Sequence, residues 1–161
     1  LGLLGYKDDL LLERICACLL PRLGEMNTQC IANIVYALGR LGYSHDEFLH
    51  AICTQVPPRL GEFKAQEISN TIYALMVLAY KHKSFLTATC NHVPTRLREF
   101  SSQNIANMVY AFGVFEYRRD NFLEAICAHV PYRMAHFKAR DISNTVYALG
   151  RLGYKHDRFL Q

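Results

Sequence analysis

The stretch QCIANIVYALGRLGY at residues 29–43 decides the fold, because it returns at a fixed interval along the chain. Its later copies are QEISNTIYALMVLAY at 66–80, QNIANMVYAFGVFEY at 103–117 and RDISNTVYALGRLGY at 140–154. Each copy begins 37 residues after the one before it, without an insertion. A fixed period of this length is typical of stacked supersecondary units. The sequence therefore predicts a solenoid whose function lies on a face shared by its repeats.

Apolar residues recur at three-to-four-residue spacing and predict two amphipathic helices in each repeat. Helix A carries the quoted stretch and helix B follows it, as in HDEFLHAICTQV at 45–56. We expect an all-α solenoid of antiparallel helical hairpins, stacked with a right-handed turn, in which helix A lines the concave face. The expected organisation is one domain over residues 1–161, with a partial repeat 1–24, full repeats 25–61, 62–98 and 99–135, and a partial repeat 136–161.

The expected limits of helix A follow from its terminal residues. Asn27 is a predicted N-cap, and the equivalents of the third position after it (Glu67, Asn104 and Asp141) are acidic or amide residues that suit a capping box. Glycine favours a helix C-terminus because it adopts a left-handed backbone readily. Gly42 and its equivalent Gly153 are therefore the predicted stops.

Helix B is expected to begin at an aspartate and to break at a proline. Aspartates precede its apolar run in three repeats, where they are predicted N-caps: Asp46, Asp120 and Asp157. Prolines interrupt that run at Pro57, Pro94 and Pro131. A proline inside a helix removes one backbone hydrogen bond and clashes with the preceding turn, so we expect a kink or break there.

Composition places few limits on function. The chain is 51% apolar and 20% charged, with a net charge of +4, which permits a polyanionic partner without requiring one. No apolar run approaches a membrane span, so we expect a soluble protein. Four of the six cysteines occupy one repeat position (Cys16, Cys53, Cys90 and Cys127), and we interpret them as packed, reduced thiols of an intracellular protein.

The two ends of the chain resemble interior parts of the repeat. Residues 1–6 match 38–43, and residues 156–161 match 45–50. We expect a segment of a longer array, with weak end-to-end association through the apolar ends Leu1–Leu4 and Phe159–Leu160.

A helical projection separates the packed residues of helix A from the outward ones. Ile31 and Val35 fall on the buried side, whereas Gln29, Asn33 and Arg40 point away from it. Cys30 and Ala37 flank these three positions, and we call the five positions and their equivalents in later repeats the outward stripe. Ala32 and Gly39, to one side, are small enough to let a neighbouring helix approach closely.

The outward stripe combines a constant column with a variable one. Asparagine recurs at Asn33, Asn70, Asn107 and Asn144, and beside it position 30 varies as Cys30, Glu67, Asn104 and Asp141. Asparagine is a poor helix former, so its recurrence in mid-helix calls for an explanation. In one interpretation each amide ties its helix to the adjacent repeat; in the other, the amides contact a linear ligand. An amide donates and accepts together, which fits a base edge or a peptide backbone.

The motif QxIANxVYALGxLGY, followed by HDxFLxAICxxVPxRLxEF, resembles the octotricopeptide and heptatricopeptide repeat proteins, RNA-binding helical solenoids of organelles and bacteria. The resemblance covers essentially the whole chain. The period matches the heptatricopeptide form and is one residue shorter than the octotricopeptide form, in which tryptophan is common at the position of Tyr36. The resemblance implies an intracellular protein of a chloroplast, mitochondrion or bacterial cytoplasm that acts in RNA processing, stability or translation.

The resemblance also implies sequence-specific binding of single-stranded RNA, with about one nucleotide read per repeat from helix A. By position, the implied base contacts are Gln29, Cys30 and Asn33; Gln66, Glu67 and Asn70; Gln103, Asn104 and Asn107; Arg140, Asp141 and Asn144. Lys64 and Lys138 at the helix starts and Arg40 and Arg151 along the stripe are candidate phosphate contacts. Loop cations form a second basic column or a solvated surface: Lys81, Lys83, Arg118, Arg119 and Lys155.

Other function classes have less support. The repeated histidines His45, His82 and His156 would lie one repeat apart, and no zinc-knuckle spacing or phosphate-binding glycine loop occurs. We therefore expect neither an enzyme nor a cofactor. The main alternative is a protein-binding scaffold of armadillo or tetratricopeptide type, since such solenoids also hold extended chains with outward asparagines.

Overall fold

The computed structural model describes residues 8–155, and every regular element in that range is helical. This confirms the all-α class. Eight α-helices follow one another along this part of the chain: α1 (Asp9–Leu19), α2 (Thr28–Leu41), α3 (Asp46–Gln55), α4 (Ala65–Val77), α5 (Lys83–His92), α6 (Ser102–Val114), α7 (Asp120–His129) and α8 (Ala139–Arg151). Helices α2, α4, α6 and α8 correspond to helix A, and the odd-numbered helices to helix B.

The helices recur at the interval of the sequence repeat. The A helices begin at residues 28, 65, 102 and 139, and α3, α5 and α7 begin at 46, 83 and 120. The chain divides into two compact units, the first ending at Phe85 and the second beginning at Leu86. In the first unit α2 packs against α4, and in the second α6 packs against α8. The predicted single domain and its repeat boundaries stay predictions.

Glycine sets the distance between neighbouring A helices. A methyl group on Gly39 would lie 3.0 Å from the Ala74 Cβ, and one on Gly113 would lie 2.8 Å from the Cα and Cβ of Ala148. Such distances leave no room for a side chain, so backbones approach closely at these points. The prediction that Gly39 admits a neighbouring helix is confirmed, and the interlocking partner is the alanine of the next A helix.

The predicted ends of helix A are confirmed. Asn27 caps α2, because its Oδ1 accepts a hydrogen bond from the Cys30 amide at 2.8 Å. Gly42 follows the helix in the left-handed conformation at φ 61°, and Gly153 has φ 59° after α8. The equivalent residues of the two middle repeats are Ala79 and Glu116, which adopt φ 54° and 50° without the freedom of glycine. The same left-handed backbone therefore ends helix A with three residue types: glycine, alanine and glutamate.

The start of helix B differs from the prediction. Asp46 and Asp120 are the first residues of α3 and α7 and are not their N-caps. The cap of α3 is His45, whose Nδ1 accepts from the Phe48 amide at 3.1 Å, and His82 Nδ1 accepts from the Phe85 amide at 3.3 Å. The imidazole takes the place that a carboxylate usually fills, and the aspartate one residue later faces the positive helix start. Asp157 lies outside the described residues.

The prolines end helix B as predicted. Helix α3 stops at Gln55, and a 3₁₀ helix runs over Pro57–Glu62. The same change follows α1, α5 and α7, in the 3₁₀ helices Leu20–Glu25, Val93–Glu99 and Pro131–His136. Each proline lies in the first turn of its 3₁₀ helix, where the missing N–H is not needed.

A repeated arginine ties two of the 3₁₀ helices to the preceding repeat. Arg59 donates to the Met26 carbonyl at 3.1 Å, and Arg133 donates to the Phe100 carbonyl at 2.8 Å. Arg59 also pairs with Glu62 at 3.0 Å. The sequence carries a signal for this contact, because arginine recurs at residues 22, 59, 96 and 133.

The cysteines of the repeat are packed as predicted. Cys16, Cys53, Cys90 and Cys127 are all buried. Burial raises the pKa of the Cys53 and Cys90 thiols to about 12 and that of the Cys16 and Cys127 thiols to about 11. These sulfurs therefore stay protonated and act as small apolar side chains.

None of the helices between residues 8 and 155 has the length and apolar character that a membrane crossing requires. The apolar ends Leu1–Leu4 and Phe159–Leu160, for which self-association was predicted, lie outside the described residues.

Candidate functional site

Helix α2 shows the projection of helix A as the sequence predicts it. Ile31 and Val35 are 2% and 0% exposed, whereas Gln29, Asn33 and Arg40 are exposed. The apolar side chains pack inward at three-to-four-residue spacing, so the polar ones are held on the opposite side. The outward stripe is therefore a surface in this repeat.

The other A helices carry the same stripe. Position 29 is exposed in each of them, as Gln66, Gln103 and Arg140. The asparagines are exposed or half-buried: Asn33, Asn70, Asn107 and Asn144. Within its own unit, and among the described residues, none of these four amides has a hydrogen-bond partner in the protein. In one of the two interpretations, each amide ties its helix to the adjacent repeat. Within the described part of each unit, these side chains do not form that tie.

The variable column at position 30 is placed differently from the prediction. Glu67 and Asp141 are only 8% and 6% exposed, because each carboxylate turns back to the start of its own helix. Glu67 accepts from the Lys64 amide at 2.9 Å, and Asp141 accepts from the Lys138 amide at 3.0 Å.

Asn104 Oδ1 accepts from the Ser101 amide at 3.2 Å, and Ser101 Oγ accepts in return from the Asn104 amide at 3.1 Å. The full capping box is thus confirmed at α6 and its carboxylate half at α4 and α8, and the outward orientation of Glu67 and Asp141 is wrong. A helical projection treats the first turn like the interior, although its N–H groups have no helical acceptors and attract these side chains. Cys30 is the exposed member of this column. The role in RNA binding stays a prediction for all four.

A column of tyrosines lies on the same side of helix A as the outward stripe, although it is not one of the positions predicted to bind RNA. Tyr36 is 38% exposed and Tyr147 is 49% exposed, and their equivalents Tyr73 and Tyr110 are half-buried. The rings of Tyr110 and Tyr147 lie 5.7 Å apart between centroids, inclined by 33°. The signal in the sequence was the constant tyrosine three residues after each asparagine, a spacing that places both on one helix face.

Positive charge gathers at the starts of the A helices. Lys64 and Lys138 are the N-cap residues of α4 and α8, and both are exposed. In the second unit, an open cleft of about 320 Å³ lies between the starts of α6 and α8, and Gln103, Arg133 and Lys138 line it. Unpaired helix N–H groups and cations together favour an anion at such a place.

The far end of the stripe carries Arg40 and Arg151, both exposed. Arg151 pairs with Glu116 at 2.7 Å. Its hydrogen bond to Tyr147, followed by the bond to Glu116, raises the pKa of the guanidinium above its ordinary value. Arg151 therefore stays charged beside Glu116.

The second basic column is partly used within the protein. Arg118 donates to the Gly153 carbonyl at 2.9 Å and pairs with Asp120 at 2.6 Å. Arg119 lies over the Tyr117 ring at 5.3 Å. Lys81, Lys83 and Lys155 are exposed. For the two arginines, these contacts give a structural role of tying loop to helix.

The histidines do not converge on a metal centre. Among residues 8–155, no three histidine, cysteine or acidic side chains are placed to hold a metal ion. His50 and His82 lie 5.3 Å apart between ring centroids, and burial followed by the neighbouring His50 lowers the pKa of His82.

Comparison with known proteins gives the chain a family. Residues 1–160 match the family described as RNA-editing substrate-binding complex 6 protein. The chain belongs to this family. No curated protein matches it. The family is RNA-associated by its description, in line with the kind of protein that the repeat motif resembles. The octotricopeptide and heptatricopeptide assignment itself stays a prediction.

Proposed function

We propose that this chain binds single-stranded RNA in a sequence-specific manner, about one nucleotide per repeat, along the outward stripes of α2, α4, α6 and α8. In this proposal the helical hairpins stack with their 37-residue period into an α-solenoid that aligns the four stripes. The observation that carries the proposal is the recurring asparagine amide, which is exposed or half-buried and has no hydrogen-bond partner among the described residues of its own unit.

The chemistry of the amide supports a base contact. A carboxamide has two donor hydrogens and an acceptor oxygen in one plane, and it can bond two adjacent groups on a base edge. Helical-repeat RNA readers use two or three such side chains for each base. The glutamines at position 29 lie one helical turn before the asparagines, so both can reach the same nucleotide.

Cations near the stripe would hold the phosphates. Lys64 and Lys138 lie at helix starts, where backbone N–H groups add their positive partial charge. Arg40 and Arg151 extend this charge along the surface. Contacts of this kind position a strand without reading its sequence.

The proposed contact residues are the exposed or half-buried members of the predicted set: Gln29, Cys30, Asn33, Arg40, Lys64, Gln66, Asn70, Gln103, Asn104, Asn107, Lys138, Arg140, Asn144 and Arg151. Glu67 and Asp141 are left out, because they are buried and their carboxylates are committed to capping. The family description, which names an RNA-editing complex, supports RNA as the ligand. We place the protein inside an organelle or a bacterial cytoplasm by the repeat resemblance.

Selection from a randomised pool of single-stranded RNA at two salt concentrations tests this proposal. A specific reader enriches one short motif, and its binding constant falls linearly in log salt. Asn107→Ala should change the preference at one motif position by about 1–3 kcal/mol and leave the others unaltered. Asn121→Ala on α7, also exposed, is the matched control and should change nothing. Lys138→Ala should weaken all sequences alike and reduce the salt slope by about one unit.

Glu67→Asn separates capping from base reading at position 30. Asn104 caps α6 in the manner of Glu67, so the substitution preserves the helix start. An unaltered motif supports the capping role, whereas a change at one position means that position 30 reads bases as first predicted.

A protein-binding scaffold is the second candidate, because the family is named as a component of a complex. No enrichment from the pool at either salt concentration, together with an Asn107→Ala variant that loses stability only, would favour this candidate.

A further inference from the structure

We propose that the tyrosines of helix A stack on unpaired RNA bases and form a platform in each unit: Tyr36 and Tyr73 in the first, Tyr110 and Tyr147 in the second. This inference rests on the RNA-binding function proposed above and adds a set of contacts that the repeat motif does not assign. The platform would bind the flat faces of the bases, while the amides of the outward stripe bind their edges.

The exposure of these rings is the first argument. Tyr147 is 49% exposed and Tyr36 is 38% exposed, although each lies in the middle or last turns of a regular helix with apolar neighbours to pack against. A large aromatic side chain is a source of binding energy when a partner covers it, since its ring buries much apolar area and has few torsions to fix.

The arrangement of the second unit is the second argument. The rings of Tyr110 and Tyr147 lie 5.7 Å apart at 33°, so the tyrosines of two neighbouring repeats are in contact. Val114, one turn beyond Tyr110, is 40% exposed and extends the apolar strip. Two rings of the second unit therefore lie side by side before any ligand arrives.

The neighbours of each ring point to a nucleotide. Asn107 and Asn144 precede Tyr110 and Tyr147 by three residues and lie on the same helix face. On α8 the ring, the amide and the guanidinium of Arg151 follow one another along the helix, and they match the face, the edge and the phosphate of a nucleotide; on α6 the position of Arg151 is taken by Val114. Stacking on aromatic side chains is how proteins hold unpaired bases, and it accepts every base because each has a π face.

Three variants of the 161-residue chain test the platform. Tyr147→Ala removes the ring, Tyr147→Phe keeps the ring and removes the hydroxyl, and Tyr132→Ala removes a tyrosine that is 89% exposed on the 3₁₀ helix Pro131–His136. The probes are a labelled single-stranded RNA carrying the motif selected from the pool and an abasic strand of the same length and charge. Circular dichroism and urea unfolding of each variant check that the fold is kept.

We expect Tyr147→Ala to weaken binding of the RNA roughly five- to 150-fold, the range for one lost stacking contact. Tyr147→Phe and Tyr132→Ala should bind with about the wild-type affinity. The abasic strand should bind weakly to the wild type and lose nothing further with Tyr147→Ala. Because the chain has no tryptophan, quenching of tyrosine emission by RNA gives a direct readout. Quenching should fall with Tyr147→Ala and persist with Tyr132→Ala.

Different failures identify different errors. If RNA binds but Tyr147→Ala loses no more affinity than Tyr132→Ala, the platform is refuted and RNA binding stands. If Tyr147→Phe loses as much as Tyr147→Ala, the hydroxyl makes the contact and stacking is refuted. If the wild type enriches no RNA and binds none of the probes, the proposed function and the platform fall together.

Discussion

Replacement of Gly113 with alanine tests the close packing of α6 on α8. The new methyl group would lie 2.8 Å from the Cα and Cβ of Ala148, well inside van der Waals contact. The Cα cannot swing aside as the end of a long side chain can, so the two helices must move apart or bend. Overpacking of this kind costs about 1–3 kcal/mol. The higher helix propensity of alanine returns up to about 1 kcal/mol, which leaves a net loss of roughly 1 kcal/mol.

Gly150→Ala is the matched control, because Gly150 occupies the same repeat position on α8. A methyl group there would meet no atom within 4 Å. The propensity gain is common to both substitutions and cancels when they are compared. The difference between the two free energies of unfolding therefore isolates the packing cost, and we expect it to be about 1–3 kcal/mol.

Urea and thermal unfolding followed by circular dichroism measure this difference. For a chain of this size, 1 kcal/mol corresponds to a change in Tm of roughly 2–4 °C. Gly113→Ala should melt below the wild type, and Gly150→Ala should melt at or above it. If both variants gain stability equally, α6 and α8 do not approach as closely as described, and the stacking of A helices at this glycine is wrong.

Three further predictions concern stability. Ala79→Gly should raise the free energy of unfolding by about 0.5–1 kcal/mol, because glycine relieves the left-handed backbone at φ 54° but costs more entropy on folding; urea unfolding measures it. Arg59→Ala should lower the free energy of unfolding by about 1.5–3 kcal/mol through loss of the bond to the Met26 carbonyl, whereas Arg22→Ala, 62% exposed and paired only along the surface, should change it by less than about 0.5 kcal/mol. Acid should destabilise the fold, because burial lowers the pKa of three histidines in the folded state: His82, His92 and His129. The unfolded chain, with histidine pKa values near 6.5, then binds protons more readily. The stability is complete above about pH 6.5 and falls as the pH drops through the lower folded values, and Tm measured against pH checks the sign.

Much of the fold could be predicted because its causes are local. The apolar spacing places Ile31 and Val35 inward, Asn27 and Gly42 bound α2, and Pro57 ends α3. Each of these follows from a backbone preference or from helix periodicity, and the repetition of the pattern tests it several times within one sequence.

The parts that could not be predicted depend on competition between acceptors or on distant contacts. His45 caps α3 although an aspartate follows it directly, because the Nδ1 atom stands at the position from which the Phe48 amide can be reached. Glu67 turns inward because an unpaired helix N–H outweighs its preference for water. Arg59 reaches a carbonyl 33 positions away, a distance that no local pattern encodes.

The different roles of the positions along helix A limit which bases the candidate site can distinguish. The third residue caps the helix start in α4, α6 and α8. The glycine and alanine positions pack against the neighbouring A helix. The asparagine and tyrosine on the outward side do not vary between repeats. If these two contact RNA, four repeats offer nearly the same surface to four successive nucleotides. The residue that differs between repeats is then the one at position 29, where three glutamines are followed by Arg140. The motif selected from the pool should accordingly be a short run of one base or base class, with its main change opposite the last repeat, where guanidinium replaces amide and favours guanine.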